Sequence, residues 1–274
     1  MRLLACLIVP LAALALDPNE IVRKSVVRDQ ANWERAQDYV YISRSVIRER
    51  DSAGALKKTE QEGREFSLLY GEPYRRLIEK DGKPLPATEA AREQAKMDRV
   101  AEKRRAETPA ERARRIENWR RDRLKEREIA LEIPDAYHFR LLGEETINGR
   151  KAWILDATPR PEYKPKNWRS AMLKKFKGKM WIDQTDFQWV RMEGEVIDTV
   201  SFGLFLARLA KGSTIFFEQA RINDEVWTPK TIRINIDARV ALFKRILGDQ
   251  EITFSDFRKF QADSRIVAAS ELKK

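Results

Sequence analysis

His138 is the only imidazole in the chain, and it sits within Tyr137-His138-Phe139-Arg140-Leu141. A histidine acting as a general base for acyl transfer needs a serine or cysteine nucleophile beside it, and no such motif surrounds this one. Between aromatic neighbours in a strand it reads as a packing residue. A zinc site needs further ligands of a kind the sequence lacks, so no metal is expected. Glycine-rich phosphate loops are absent too. The 43 Asp and Glu residues supply carboxylates in plenty, but no spacing singles out a pair for glycoside hydrolysis. These residue types argue for a protein that binds rather than catalyses, with no cofactor.

Two groups of side chains are suited to binding. Trp153, Trp181, Trp189, Phe216, Phe217 and Trp227 are large enough to line or rim an apolar cavity, the other use of each being an ordinary core. An acyl chain in such a cavity gains about 0.8 kcal/mol per buried methylene. The second group is basic. Lys and Arg exceed Asp and Glu to give a formal net charge of +11, which favours anionic partners. Arg104, Arg105, Arg114, Arg115, Arg120 and Arg121 could touch an anionic membrane surface or an envelope protein, although interleaved acids limit the excess. A solvated helical hairpin without a partner is the other reading of this stretch. No nucleic-acid motif is present, so no nucleic-acid partner is expected.

The N-terminus points to export. Arg2 is followed by an apolar run from Leu3 to Ala15 that ends in Ala13-Leu14-Ala15, small enough for a signal peptidase. The run falls short of the roughly 20 residues that span a bilayer, so a signal peptide cleaved near Ala15 is expected, with a periplasmic product. Leu3-Leu4-Ala5-Cys6 resembles a lipoprotein box, but almost no hydrophobic stretch precedes Cys6, which reads as part of the signal. The mature chain would then hold no cysteine, hence no disulfide or thiolate site. Residues 16–274 fit one β-rich domain.

The elements that must position these side chains follow from periodicity. Pro18 to Tyr39 reads as a helix capped by Asp17, with Ile21, Val22, Ser25, Val26, Ala31 and Trp33 at helical spacing. Tyr39 to Arg48, Lys57 to Tyr70 and Tyr74 to Lys80 read as strands, the last ending at the turn dipeptide Asp81-Gly82. From Pro86 to Glu132 the chain turns to Ala, Arg, Lys and Glu, which is helix. Thr108-Pro109-Ala110-Glu111 matches a capping box, so a second helix starts there after one beginning near Thr88. Glu111 with Arg115 and Glu117 with Arg121 have the spacing of helical ion pairs, and Ile116, Trp119 and Leu124 form a narrow stripe that could rest on the β domain. The pair of helices is expected to project from that domain as a basic arm rather than complete its core.

Strands resume at Tyr137 to Glu145 and Lys151 to Asp156, joined by Asn148-Gly149, the strongest hairpin signal in the chain. A Pro- and Lys-rich loop and a basic stretch, Trp168 to Lys177, lead to a meander at Gly178–Asp183, Gln188–Val200, Ser213–Ile222, Trp227–Asp237 and Gln250–Phe260. No internal repeat is evident. Clean alternation in Thr231 to Ile236 marks one dry face and one wet face, and a curved sheet wrapped over helix buries the dry one.

Gly178-Lys179-Met180-Trp181-Ile182-Asp183-Gln184-Thr185-Asp186-Phe187-Gln188-Trp189-Val190-Arg191-Met192-Glu193, then Phe216-Phe217 and Asn223-Asp224-Glu225-Val226-Trp227-Thr228-Pro229, resemble recurring phrases of the LolA/LolB lipoprotein-carrier superfamily, which includes the periplasmic stress regulator RseB. The resemblance covers most of the chain outside residues 86–132. It implies an α+β fold: a strongly curved antiparallel sheet, or half-open β-barrel, covered by helices, here with a charged helical-hairpin insertion. It further implies a periplasmic carrier of lipid or lipoprotein acyl chains, in outer-membrane lipoprotein sorting or envelope maintenance. The alternative on the same fold is a non-enzymatic protein-interaction or envelope-stress-sensing module. The resemblance carries over no individual site residue.

Overall fold

The computed structural model describes residues 17–202, 207–240 and 244–260. The expected signal peptide, residues 1–15, lies outside them. Helix α1 (Pro18–Ala36) starts where Asp17 accepts a hydrogen bond from the Asn19 amide at 2.9 Å, satisfying one of the donors left free in a first turn. Its buried residues, among them Ile21, Val22, Ser25 and Val26, form a single stripe, as a half-exposed helix requires.

Strands β1 (Tyr39–Arg50), β2 (Leu56–Leu69), β3 (Glu72–Lys80) and the short β4 (Lys83–Pro84) follow as consecutive antiparallel partners. Helices α2 (Ala87–Arg105) and α3 (Pro109–Ala136) then interrupt the sheet. At the start of α3 the Thr108 backbone amide donates to Glu111 and the Glu111 amide donates to the Thr108 hydroxyl, closing the capping box. Next come β5 (Tyr137–Ile147), β6 (Arg150–Pro159), a 3-10 helix (Ser170–Lys175), β7 (Phe176–Asp183) and β8 (Trp189–Val196). The chain continues through β9 (Val200–Phe202), β10 (Ala207–Leu209), β11 (Thr214–Ile222), β12 (Val226–Val240) and β13 (Lys244–Lys259).

The strands form one curved, unclosed antiparallel sheet in the order β4-β3-β2-β1-β13-β12-β11-β8-β7-β6-β5, with β10 and β9 beside the far end of β12. The fold is α+β. The Asn148-Gly149 turn has φ of 50° and 78°, the left-handed pair that a two-residue hairpin demands and that Asn and Gly supply at least cost.

The main core lies between α1, the end of α3 and one face of β5 to β8. It is built from Ile21, Val22, Phe139, Leu155, Ile182 and Trp189 with their neighbours. The opposite face carries a smaller cluster of Ile147, Ala152, Trp181, Val190 and Trp227.

Several expectations change. Gln188–Val200 is two strands, β8 and β9, with a break at residues 197–199. Helix α3 runs past Glu132 to Ala136 because Ile129, Ala130 and Ile133 pack against the main core. The insertion therefore helps complete the core at its C-terminal end, while its first part lies over the β2–β3 turn. His138 is exposed, with buried Tyr137 and Phe139 on either side, because strand alternation turns it outward; it is not a packing residue. Arg115 pairs with Glu107 and Glu72 instead of Glu111, and Arg121 donates to Asn118 rather than pairing with Glu117.

Candidate functional site: an apolar cavity

Strand parity decides which side chains face the space between sheet and helix. In β7, Met180 and Ile182 join the main core and Trp181 joins the cluster behind it. The register of β8 slips here: Trp181 pairs with Arg191 and Ile182 with Trp189, leaving Val190 as a bulge. The slip keeps Trp189 and Met192 on the same face as Ile182 and Met180.

On that face is a cavity of about 320 Å³. Helix α3 contributes Ile129, Ala130 and Ile133, the 3-10 helix Met172 and Leu173, and the strands Met180, Trp189, Met192 and Ile215. Its floor crosses Gly178 and Gly194, which face each other across β7 and β8. Lys177, Lys179 and Glu193 contribute backbone here, since parity sends their charged ends to the opposite face, where Lys177 pairs with Glu195 at 3.1 Å. What remains inside is hydrocarbon, thioether and indole. The volume lies at the lower end of the roughly 300–1,000 Å³ typical of ligand sites.

The walls are fixed by polar anchors outside the apolar space. Trp189 Nε1 donates to the Ser25 hydroxyl at 2.8 Å, tying the indole to α1. The Tyr137 hydroxyl donates to the Leu173 carbonyl at 2.8 Å, tying β5 to the 3-10 helix. Burial pushes the Tyr137 phenol far above its ordinary value, so it remains a donor. The Tyr163 hydroxyl donates to buried Glu132 at 2.5 Å and holds α3 against the loop before the 3-10 helix. Burial, reinforced by the Glu132 carboxylate, raises Tyr163 to about 12.

The six aromatics named from the sequence are distributed among different environments. Trp189 lines the cavity. Trp153 is core beneath it, its ring centroid 5.3 Å from that of Phe187. Trp181 and Trp227 belong to the cluster on the other face. Phe216 lines an adjoining groove of about 540 Å³, with the Arg233 guanidinium 4.1 Å from its ring centroid. Phe217 pairs with Met192 and Ile232 and lines neither space. The residues that do form the cavity are mostly aliphatic and sulfur-containing.

The six arginines also differ. Arg104 Nη1 donates to the Leu69 carbonyl at 2.8 Å, and Arg115 pairs with Glu72 at 2.7 Å and Glu107 at 2.8 Å. These two clasp the helical hairpin onto the β2–β3 turn, where Ile116 also packs over Gly71. Arg105, Arg114, Arg120 and Arg121 are exposed. Among the described residues no group of three His, Cys, Asp or Glu is placed to hold a metal ion, and no helix is long and apolar enough to cross a membrane.

No family model and no curated protein matches the chain in sequence. Solved structures resemble it. One, described as an outer membrane lipoprotein-sorting protein domain from Vibrio parahaemolyticus, is 14% identical with a TM-score of 0.36, covering 89% of this chain and 95% of that one. A LolA superfamily protein from Nitrosomonas europaea is 12% identical with a TM-score of 0.31, covering 90% and 94%. MucB in complex with MucA(peri) is 11% identical with a TM-score of 0.25, covering 90% and 100%.

Proposed function

We propose that this chain is a non-enzymatic carrier in the bacterial periplasm that shelters an acyl chain of a lipid or lipoprotein in the cavity beneath α3. The observation that carries the reading is the lining: aliphatic, thioether and indole groups around about 320 Å³, with the charged ends of the strand residues on the far side of the sheet. Water gains little from such a space, whereas each methylene moved into it contributes about 0.8 kcal/mol. Export by the N-terminal signal would place the protein where lipoproteins travel. Native mass spectrometry after gentle purification tests the proposal, and a co-purified lipid is the expected result. Absence of any bound lipid, together with failure to displace a fluorescent fatty acid, counts against it.

A second reading, an envelope-protein interaction or stress-sensing module, draws on the edge strand β5. Leu141 and Leu142 are 41% and 43% exposed there, next to the irregularity at Gly143. A photo-crosslinker at Leu142 that captures one identified envelope protein, in equal yield after delipidation, would favour it.

A further inference from the structure

At the end of the sheet away from the cavity's glycine floor, α1 passes over the β7–β8 and β11–β12 turns and encloses a polar pocket of about 200 Å³. Asn32 fixes this crossing: its amide donates to the Trp227 carbonyl and its oxygen accepts from the Trp227 amide, each at 2.8 Å. Arg28 and Arg35 flank Asn32 on the same face of α1, about 10.5 Å apart along the axis and within reach of one small ligand.

The pocket's two carboxylates are already engaged. Asp186 accepts from Trp227 Nε1 at 3.0 Å and pairs with Arg150 at 3.0 Å, and Glu225 is held by Tyr39 and by Lys259 at 2.9 Å. Groups of the opposite need are engaged less fully. Arg28 has no hydrogen bond or ion pair among the described residues, and the Arg35 guanidinium has no hydrogen bond among them, only the nearby charge of Glu225. Arg221 Nη1 pairs with exposed Asp224 at 3.5 Å, while its buried Nε lies 3.4 Å from Asp186 without the alignment of a hydrogen bond. Gln188 is only 2% exposed, lines the pocket, and its side-chain oxygen has no donor. A buried polar atom without a partner is costly, so the orphaned Arg221 Nε and Gln188 Oε1 at one small pocket, with the exposed Arg28 and Arg35 at its rim, call for an occupant.

We propose that this pocket binds a phosphate monoester-type oxyanion, with Arg28, Arg35 and Arg221 on its charged oxygens and Gln188 Oε1 accepting its remaining proton. Guanidinium groups suit phosphate because their planar donors match its oxygens. The orphaned acceptor adds selectivity. A fully deprotonated oxyanion such as sulfate would point a lone pair at Gln188, whereas monohydrogen phosphate offers it a donor. The source could be free phosphate or the headgroup of a phosphatidic acid, which share this chemistry. The site does not depend on the acyl-chain reading of the cavity.

Isothermal titration of the full chain with inorganic phosphate and with sulfate tests the proposal, alongside co-sedimentation with phosphatidylcholine vesicles with and without phosphatidic acid. The Arg28→Gln/Arg35→Gln double variant should weaken binding by about tenfold or more, since charge-assisted hydrogen bonds are lost. The charge-matched control Lys57→Gln/Arg140→Gln, made at exposed positions away from both the pocket and the arm, should bind as the parent does. Gln188→Leu should abolish the preference for phosphate over sulfate. Binding of free phosphate identifies a phosphate site, and binding only to phosphatidic acid vesicles identifies a headgroup site. Equal affinity in the two double variants overturns the proposal, as does binding of neither probe; the pocket would then be a site for water.

Discussion

Gly178 and Gly194 stand directly opposite each other on β7 and β8, and the bare backbone between them forms the floor of the apolar cavity. The two are not equivalent. A Cβ on Gly178 would run into the Glu193 carbonyl, whereas one on Gly194 would meet only the Ile215 methyl at 2.9 Å. Gly194→Ala should fold with little loss of stability and bind a fluorescent fatty acid several-fold more weakly, because it fills the floor. Gly178→Ala should cost about 1–3 kcal/mol in denaturant unfolding, as overpacking against backbone does. Unchanged fatty-acid affinity in Gly194→Ala would show that ligand does not reach this floor.

The β7–β8 turn carries a pH-sensitive contact. Burial alone would raise the Asp183 carboxyl, but the Arg150 fork at 2.6 and 2.7 Å and the amides of Asp186 and Thr185 outweigh it and hold it below its ordinary value. A lowered folded pKa contributes stability that is present above the unfolded value and lost as pH falls through the folded one. The window therefore opens near pH 4, the ordinary range for aspartate, and extends downward. Asp183→Asn should cost about 2 kcal/mol at neutral pH and show a shallower decline in stability below pH 4 than the parent. Parallel acid unfolding curves for the two proteins would refute this assignment.

The clasp at the β2–β3 turn should matter to the helical hairpin and little to the sheet. Glu72 pairs with Arg115 at 2.7 Å and Arg104 at 3.3 Å, all partly shielded. Glu72→Gln is expected to cost about 1–2 kcal/mol and to speed hydrogen exchange through the start of α3, with the amides of β7 and β8 unaffected. Exchange that accelerates equally in β7 would mean that hairpin and sheet open together.

Among the exposed arginines, the account predicts a different readout. Arg114→Gln/Arg120→Gln/Arg121→Gln should leave the melting temperature nearly unchanged and lower co-sedimentation with anionic vesicles, since each Lys or Arg near such a surface contributes about 1 kcal/mol. Undiminished vesicle binding would remove the membrane role from the arm.

The sequence displayed the local grammar of this fold plainly. Asn148-Gly149, the Thr108 capping box and the Asp17 cap are short-range devices whose residues act on their own neighbours. The cavity is harder to read, because its makers are spread over α3, the 3-10 helix and five strands, and two of them are glycines that act by lacking a side chain. Parity within Gly178 to Asp183 already separates Met180 from Trp181, but placing Trp189 and Val190 required the bulge that only the register reveals. The Ala, Arg, Lys and Glu composition that marks the helix ends at Glu132, whereas α3 continues through Ile133 and Pro134 to Ala136 because tertiary packing draws Ile133 and Ala136 into the core region.

The central claim, an acyl chain in the cavity, is tested most directly by fluorescence quenching with a fatty acid brominated along its chain. Of the seven tryptophans, Trp189 is the one that lines the cavity, and Trp181 lies on the opposite face of the same strands. The account predicts saturable quenching in the parent and in Trp181→Phe, and its loss in Trp189→Phe despite retained binding of an unbrominated probe. Quenching that persists undiminished in Trp189→Phe, or none in the parent at saturating ligand, would contradict it.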